Sequence, residues 1–204
     1  MPVTIAGTTG TTQPTATCTT NLVLTGSSSG TTTVQAAATA SGTITVPALT
    51  GTLLTSATPG TIIQTKYTQS GALQTGTTAI PYDDTIPQNT EGTQFFTLSI
   101  TPTSASNVLL IQAYINIYNT GNVVTLALFQ DSTTNALAAT SETNYYGQCT
   151  PLVYYMTAGT TSATTLKLRA GAGNGSTVTI NGNTGARYMG GVMASSFIIQ
   201  EIAV

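Results

Sequence analysis

A chain of 204 residues with four Lys or Arg, six Asp or Glu, no His and no Trp argues against most acid–base and metal chemistry, which draws on those side chains. The net charge is −2, and the basic residues Lys66, Lys167, Arg169 and Arg187 are scattered. This argues against nucleic acid as a partner, because phosphate neutralisation needs clustered cations. What remains is rich in Thr, Ser, Gly, Val, Ile, Tyr and Asn, the vocabulary of strands and tight turns. So thin a charged coat leads us to expect surface buried against copies of the same chain.

Residues 1–58 contain no charged and no aromatic side chain. Short apolar islands (Leu22 to Leu24, Ile44 and Val46, Leu53 and Leu54) stand between the turn or linker signals Gly-Thr-Thr-Gly at 7–10 and Gly-Ser-Ser-Ser-Gly at 26–30. Such islands are too sparse to build a core alone, so short strands that become stable when several chains wrap together are expected. Ile44, Val46 and Leu53 are then the natural interchain contacts. The N-terminus shows no basic and apolar leader, and no run of 18 apolar residues occurs, so neither a signal peptide nor membrane insertion is expected. Cys18 and Cys149 lie far apart with no disulfide framework, and two unpaired, buried thiols are expected.

Thr58-Pro59-Gly60 breaks this pattern and marks the boundary between an N-terminal attachment or stalk segment, 1–58, and a second domain, 59–204. Strands are predicted over 62–67, 93–101, 108–118, 123–130, 152–156, 164–169, 177–180 and 192–202, with a long irregular stretch at 70–92. The clearest is 108–118. Its core face carries Leu109, Ile111, Ala113, Ile115 and Ile117, and its other face carries Leu110, Gln112, Tyr114, Asn116 and Tyr118. Tyr114 and Tyr118 suit a subunit interface better than bulk water. Many strands at short spacing, with Gly and Asn turns and no amphipathic helix, predict an all-β fold. Its expected form is an antiparallel sandwich or jelly roll.

Site candidates are few. Asp83 and Asp84 are the only adjacent acidic pair, but calcium needs six or more oxygens and no spaced Asp/Asn loop is present. They read as a solvated turn, and no metal or cofactor is expected. Without His, a Ser nucleophile lacks its usual base, and the chain is not expected to be an enzyme. Tyr145 and Tyr146, and Arg187 beside Tyr188, lie in loop-like stretches. Aromatics there contact sugars or proteins, which makes these four the receptor-binding candidates. The bland alternative packs them against a neighbouring subunit.

Residues 42–54, Gly-Thr-Ile-Thr-Val-Pro-Ala-Leu-Thr-Gly-Thr-Leu-Leu, resemble a segment of bacteriophage tail-fibre stalks, and 5–10, Ile-Ala-Gly-Thr-Thr-Gly, resembles the start of many phage fibre proteins. Residues 96–111 and the final strand, 196–203, resemble the trimeric tip domain that follows such stalks. The resemblance implies a homotrimer with a tumour-necrosis-factor-like jelly-roll knob, carried on the virion through residues 1–58. It implies host-surface adsorption, through a host glycan or protein, as the main role. Capsid decoration or a head fibre is the alternative, favoured by the fewer than sixty residues before the knob. A glycan depolymerase is a more distant reading, because it needs clustered carboxylates.

Overall fold

The computed structural model describes residues 58–143 and 147–204, together with the backbone of Leu22–Thr25 and Thr31–Val34. The chain divides into two units, Met1–Gly51 and Thr52–Val204. In the first, β1 (Leu22–Thr25) and β2 (Thr31–Val34) pair antiparallel, with Leu22 opposite Val34 and Thr25 opposite Thr31. This pairing flanks the Gly-Ser-Ser-Ser-Gly signal at 26–30. Ile44, Val46, Leu53 and Cys18 lie outside the described residues.

Among the described residues the regular elements of the second unit are strands, apart from one 3-10 turn at Met189–Gly191. In chain order its strands are β3 (Ile62–Ser70), β4 (Gln74–Gly76), β5 (Thr93–Ile100), β6 (Val108–Tyr118), β7 (Val123–Gln130) and β8 (Ala138–Thr143). There follow β9 (Gln148–Thr157), β10 (Thr164–Ala172), β11 (Val178–Ile180), β12 (Gly182–Asn183), β13 (Ala186–Arg187) and β14 (Ser195–Ile202). One sheet has the order β5-β10-β7-β8. The other runs β3-β14-β6-β11-β4, with β9 on the far side of β6. Every pairing is antiparallel. Numbering the principal strands β3, β5, β6, β7, β8, β9, β10 and β14 from 1 to 8, the sheets read 1-8-3-6 and 2-7-4-5. That is a jelly-roll sandwich.

The core lies between the sheets. Leu109, Ile111, Ala113, Ile115 and Ile117 of β6 are fully buried there, as their alternation predicts, against Leu126 and Leu128 of β7, Leu166 and Leu168 of β10, and Phe197 and Ile199 of β14. Period-2 alternation places every second residue on one face, and burying a large apolar side chain contributes about 1.5–3 kcal/mol.

Residues 77–92, irregular in sequence, form a strap across the outside of the four-stranded sheet. Ile80 is fully buried under it with Ala127 and Phe129, so β7 is covered on both faces. The strap runs so close to β10 that a Cβ at Gly171 would meet Thr78 O at 2.5 Å and Ile80 N at 2.6 Å. A glycine at this outward position is what lets the backbones approach. Arg169 Nε and Nη2 donate to Glu91 O (2.6 Å) and Gly92 O (2.7 Å), fastening the strap's end.

Two expectations are corrected. Cys149 is an exposed free thiol, not a buried one. It pairs with Asn116 and so shares the outward phase of β6 rather than the core phase. The last strand begins at Ser195, not at 192, because the 3-10 turn at Met189–Gly191 occupies the chain just before it. A strand at 138–143 was not expected. Its sequence, Ala-Ala-Thr-Ser-Glu-Thr, has no apolar alternation, and among the described residues β8 pairs with β7 alone, as an edge.

Candidate functional site

Antiparallel partners point to the same face, so the registers define what the six-stranded sheet presents outward. One row is Tyr67–Ile198–Gln112–Val153, the next is Thr65–Gln200–Leu110–Tyr155, and a third is Gln69–Ser196–Tyr114–Pro151. Tyr67, Tyr155, Val153 and Tyr114 are 74, 62, 53 and 41% exposed. Tyr118 is half-buried on the same phase of β6. No residue of these rows is charged. Three rows over four strands cover about 20 Å by about 20 Å, an uncharged face on which the exposed aromatics stand among Thr65, Gln69, Gln112, Ser196 and Gln200. Tyr114 and Tyr118 were the sequence candidates. Tyr67, Val153 and Tyr155 were not, although the alternation of Val153 and Tyr155 within the strand predicted at 152–156 carried the signal.

The other sheet is different in character. Lys167 and Arg169 project from β10, and Asp83, Asp84 and Glu91 sit on the strap. Asp131 follows β7 with φ of 49°. Its carboxylate accepts from Thr165 N (2.7 Å) and Thr164 Oγ1 (2.9 Å), and Lys167 Nζ donates to its carbonyl. Partial burial lowers the Arg169 pKa, and its two carbonyl acceptors compensate the desolvation. These six charges thus lie away from the aromatic face, while Lys66 of β3, opposite Ile199, stands on the other phase of its strand.

Glu201, on the inward phase of β14, is fully buried. Its Oε1 accepts from Thr103 N (2.7 Å), Thr103 Oγ1 (2.8 Å), Ser104 N (3.3 Å) and Asn107 Nδ2 (2.6 Å), and its Oε2 accepts from Gln64 Nε2 (2.7 Å). Burial alone raises the pKa of a carboxyl, but the bonds from Gln64, Asn107 and Thr103 outweigh it and hold the group at about 2. The clasp joins β14 to β3 and to the turn before β6. It leaves Glu201 no capacity for chemistry on a substrate.

Asp83 and Asp84 are both exposed. Asp83 Oδ1 accepts from Thr85 N (2.9 Å) and Thr85 Oγ1 (2.5 Å), which lowers its pKa. Among the described residues no three His, Cys, Asp or Glu side chains gather as a metal site. Arg187 is exposed and Tyr188 half-buried. A Cβ on Gly147 would lie 3.1 Å from the Tyr188 ring, so this tyrosine packs beside Gly147. Tyr145 and Tyr146 themselves lie outside the described residues.

No family model matches this chain, and no curated protein matches it. Among solved structures it is similar to dimeric latent PorU from Porphyromonas gingivalis (11% identity, 72% of this chain and 14% of that one, TM-score 0.33). It is similar to the enzymatically active domain of tailspike protein 4 of bacteriophage CBA120 (13% identity, 59% and 19%, TM-score 0.27). It is also similar to the VP2 subviral particle of infectious bursal disease virus (11% identity, 70% and 39%, TM-score 0.29). The chain therefore spans well under half of each, and likenesses at these TM-scores carry no functional argument.

Proposed function

We propose that this protein is a structural component of a phage particle, a homotrimeric jelly-roll knob that projects from the virion and mediates adsorption to the host surface. The observation that carries the reading is the segregation of the two faces. The six-stranded sheet presents Tyr67, Tyr114, Val153 and Tyr155 with no charge, while Lys167, Arg169, Asp83, Asp84 and Asp131 belong to the opposite side. In a ring of three each copy seats this face against a different patch of its neighbour, and a face without charge demands no matched charge from that patch. Three copies meeting there bury the aromatics and leave the charged, strapped face outward. The stalk-like sequence at 42–54 supports attachment through residues 1–58 to tail or capsid proteins.

In this reading the protein does no catalysis and needs no cofactor. A chain without His, whose one buried carboxylate is consumed by five hydrogen bonds, is suited to durability rather than turnover. The test is immunogold labelling of intact particles with antibody to residues 62–204. Label at the tail tip is the expected result. Label spread over the head would transfer the protein to capsid decoration or a head fibre, and particles without label would overturn the virion reading.

A further inference from the structure

We propose that the groove between the strap and β8 is a binding site for a neutral glycan. This rests on the adsorption reading only for the biological source of the sugar. The groove is a cavity of about 400 Å³ between Asp83, Asp84 and Pro87 on one wall and Ala136 to Ala139 on the other. A second hollow of about 180 Å³ continues it past Tyr82 to Thr140 and Ser141. The two share Asp83, Thr85, Pro87 and Ala139 and so form one trough along β8.

Its walls are fixed in advance. Ala136 N donates to Pro87 O and Asn89 N to Thr134 O, closing one end. Buried Ile80 and the Arg169 bonds hold the strap from below. A preformed site avoids the ordering cost that weak polar ligands cannot offset. The hollow exists because Ala136 and Ala139 stand where larger side chains would fill it.

The chemistry of the lining selects the occupant. Tyr82 is 68% exposed on this rigid strap, an aromatic face offered to the C–H side of a sugar ring, with Pro87 and the alanines as an apolar ledge. Thr85 occupies Asp83 Oδ1 twice, which orients the carboxylate and leaves Oδ2 to accept from sugar hydroxyls. Ser141, on the same face of β8 as Ala139, adds a hydroxyl on the facing wall. Two carboxylates and no cation line the trough, so phosphorylated, sulfated and uronic acid chains are repelled. An uncharged polyol accepted by carboxylates and stacked on a tyrosine satisfies every group present.

The experiment applies the purified full chain to immobilised neutral oligosaccharides (glucan, mannan, galactan and N-acetylhexosamine oligomers) beside polygalacturonate and heparin fragments. At least one neutral set should bind and the two anionic sets should not. Tyr82→Ala and Ala139→Leu, both at exposed positions that spare the fold, should each weaken binding about tenfold or more, with unchanged melting temperatures. Arg187→Ala should leave binding intact. Absence of binding to every neutral set overturns the assignment, as do preference for the anionic sets or indifference to Tyr82→Ala and Ala139→Leu. Loss of binding on Arg187→Ala would move the site to the 186–191 loop. Because the assay uses isolated protein, glycan binding by the purified chain together with particles that carry no label would sink the virion reading and leave this one standing.

Discussion

Removing the Glu201 carboxylate should cost more stability than any other single polar change in the knob, and the cost should depend on pH in a defined direction. The group sits at about 2 against a reference of 4.5. A shift of that size corresponds to about 3 kcal/mol of stabilisation at neutral pH, on the order of 1.4 kcal/mol per unit. Because the folded value is depressed, the contribution is complete above pH 4.5 and is lost as pH falls toward 2, with about 2 kcal/mol gone by pH 3. Glu201→Ala leaves the donors from Gln64, Thr103, Ser104 and Asn107 facing a void and should cost about 3–5 kcal/mol. Glu201→Gln keeps the volume but turns an N–H2 toward donors, and should cost about 2–3 kcal/mol at pH 7. The assay is urea denaturation of wild type and Glu201→Gln at pH 7 and pH 3, at one protein concentration, since self-association adds to apparent stability. Other carboxylates titrate in both proteins, so the difference between them isolates Glu201. It should shrink by about 2 kcal/mol at pH 3. A difference that stays constant with pH, or a Glu201→Ala variant within 1 kcal/mol of wild type, would refute the reasoning.

Two further changes probe other parts of the fold. Gly171→Ala places a Cβ 2.5 to 2.9 Å from strap backbone atoms, which cannot yield as a flexible side chain would. It should cost about 1–3 kcal/mol in the same denaturation assay, and a variant as stable as wild type would show that the strap is not seated on β10. Cys149 has its pKa raised, first by partial burial and then by Glu142. In a Cys18→Ser background its alkylation rate should therefore rise with pH through a midpoint above that of a free cysteine. Glu142→Gln should lower that midpoint, and no movement would remove the electrostatic coupling from the account.

The strands of highest apolar periodicity were legible in the sequence down to their phase. The 108–118 prediction coincides with β6, and the core face chosen for it is the buried one. The 123–130 prediction coincides with β7, although its burial on both sides was not foreseen. That second burial depends on Ile80, which sits in a stretch with no period at all and reaches the sheet through a contact more than forty residues away in sequence. Local pattern cannot reveal such a contact. Glu201 is a case where the signal existed. Phe197, Ile199 and Glu201 share one phase of the last strand, so a core-facing carboxylate followed from the alternation, and its donors had to be supplied from 64 and 103–107. The Cys149 error has the opposite origin, since its side follows from the register with Asn116 rather than from composition. Ile44, Val46, Leu53, Tyr145 and Tyr146 lie outside the described residues, and Tyr188 packs beside Gly147.

The central claim is that the uncharged face of the six-stranded sheet joins copies of this chain. Light scattering on the purified full chain measures this directly. The account predicts a mass near three times 20.8 kDa, falling to 20.8 kDa in Val153→Glu and Tyr155→Lys, which place a charge on that face at exposed positions without touching the core. A wild-type mass of 20.8 kDa, or a trimer indifferent to both substitutions, would contradict it.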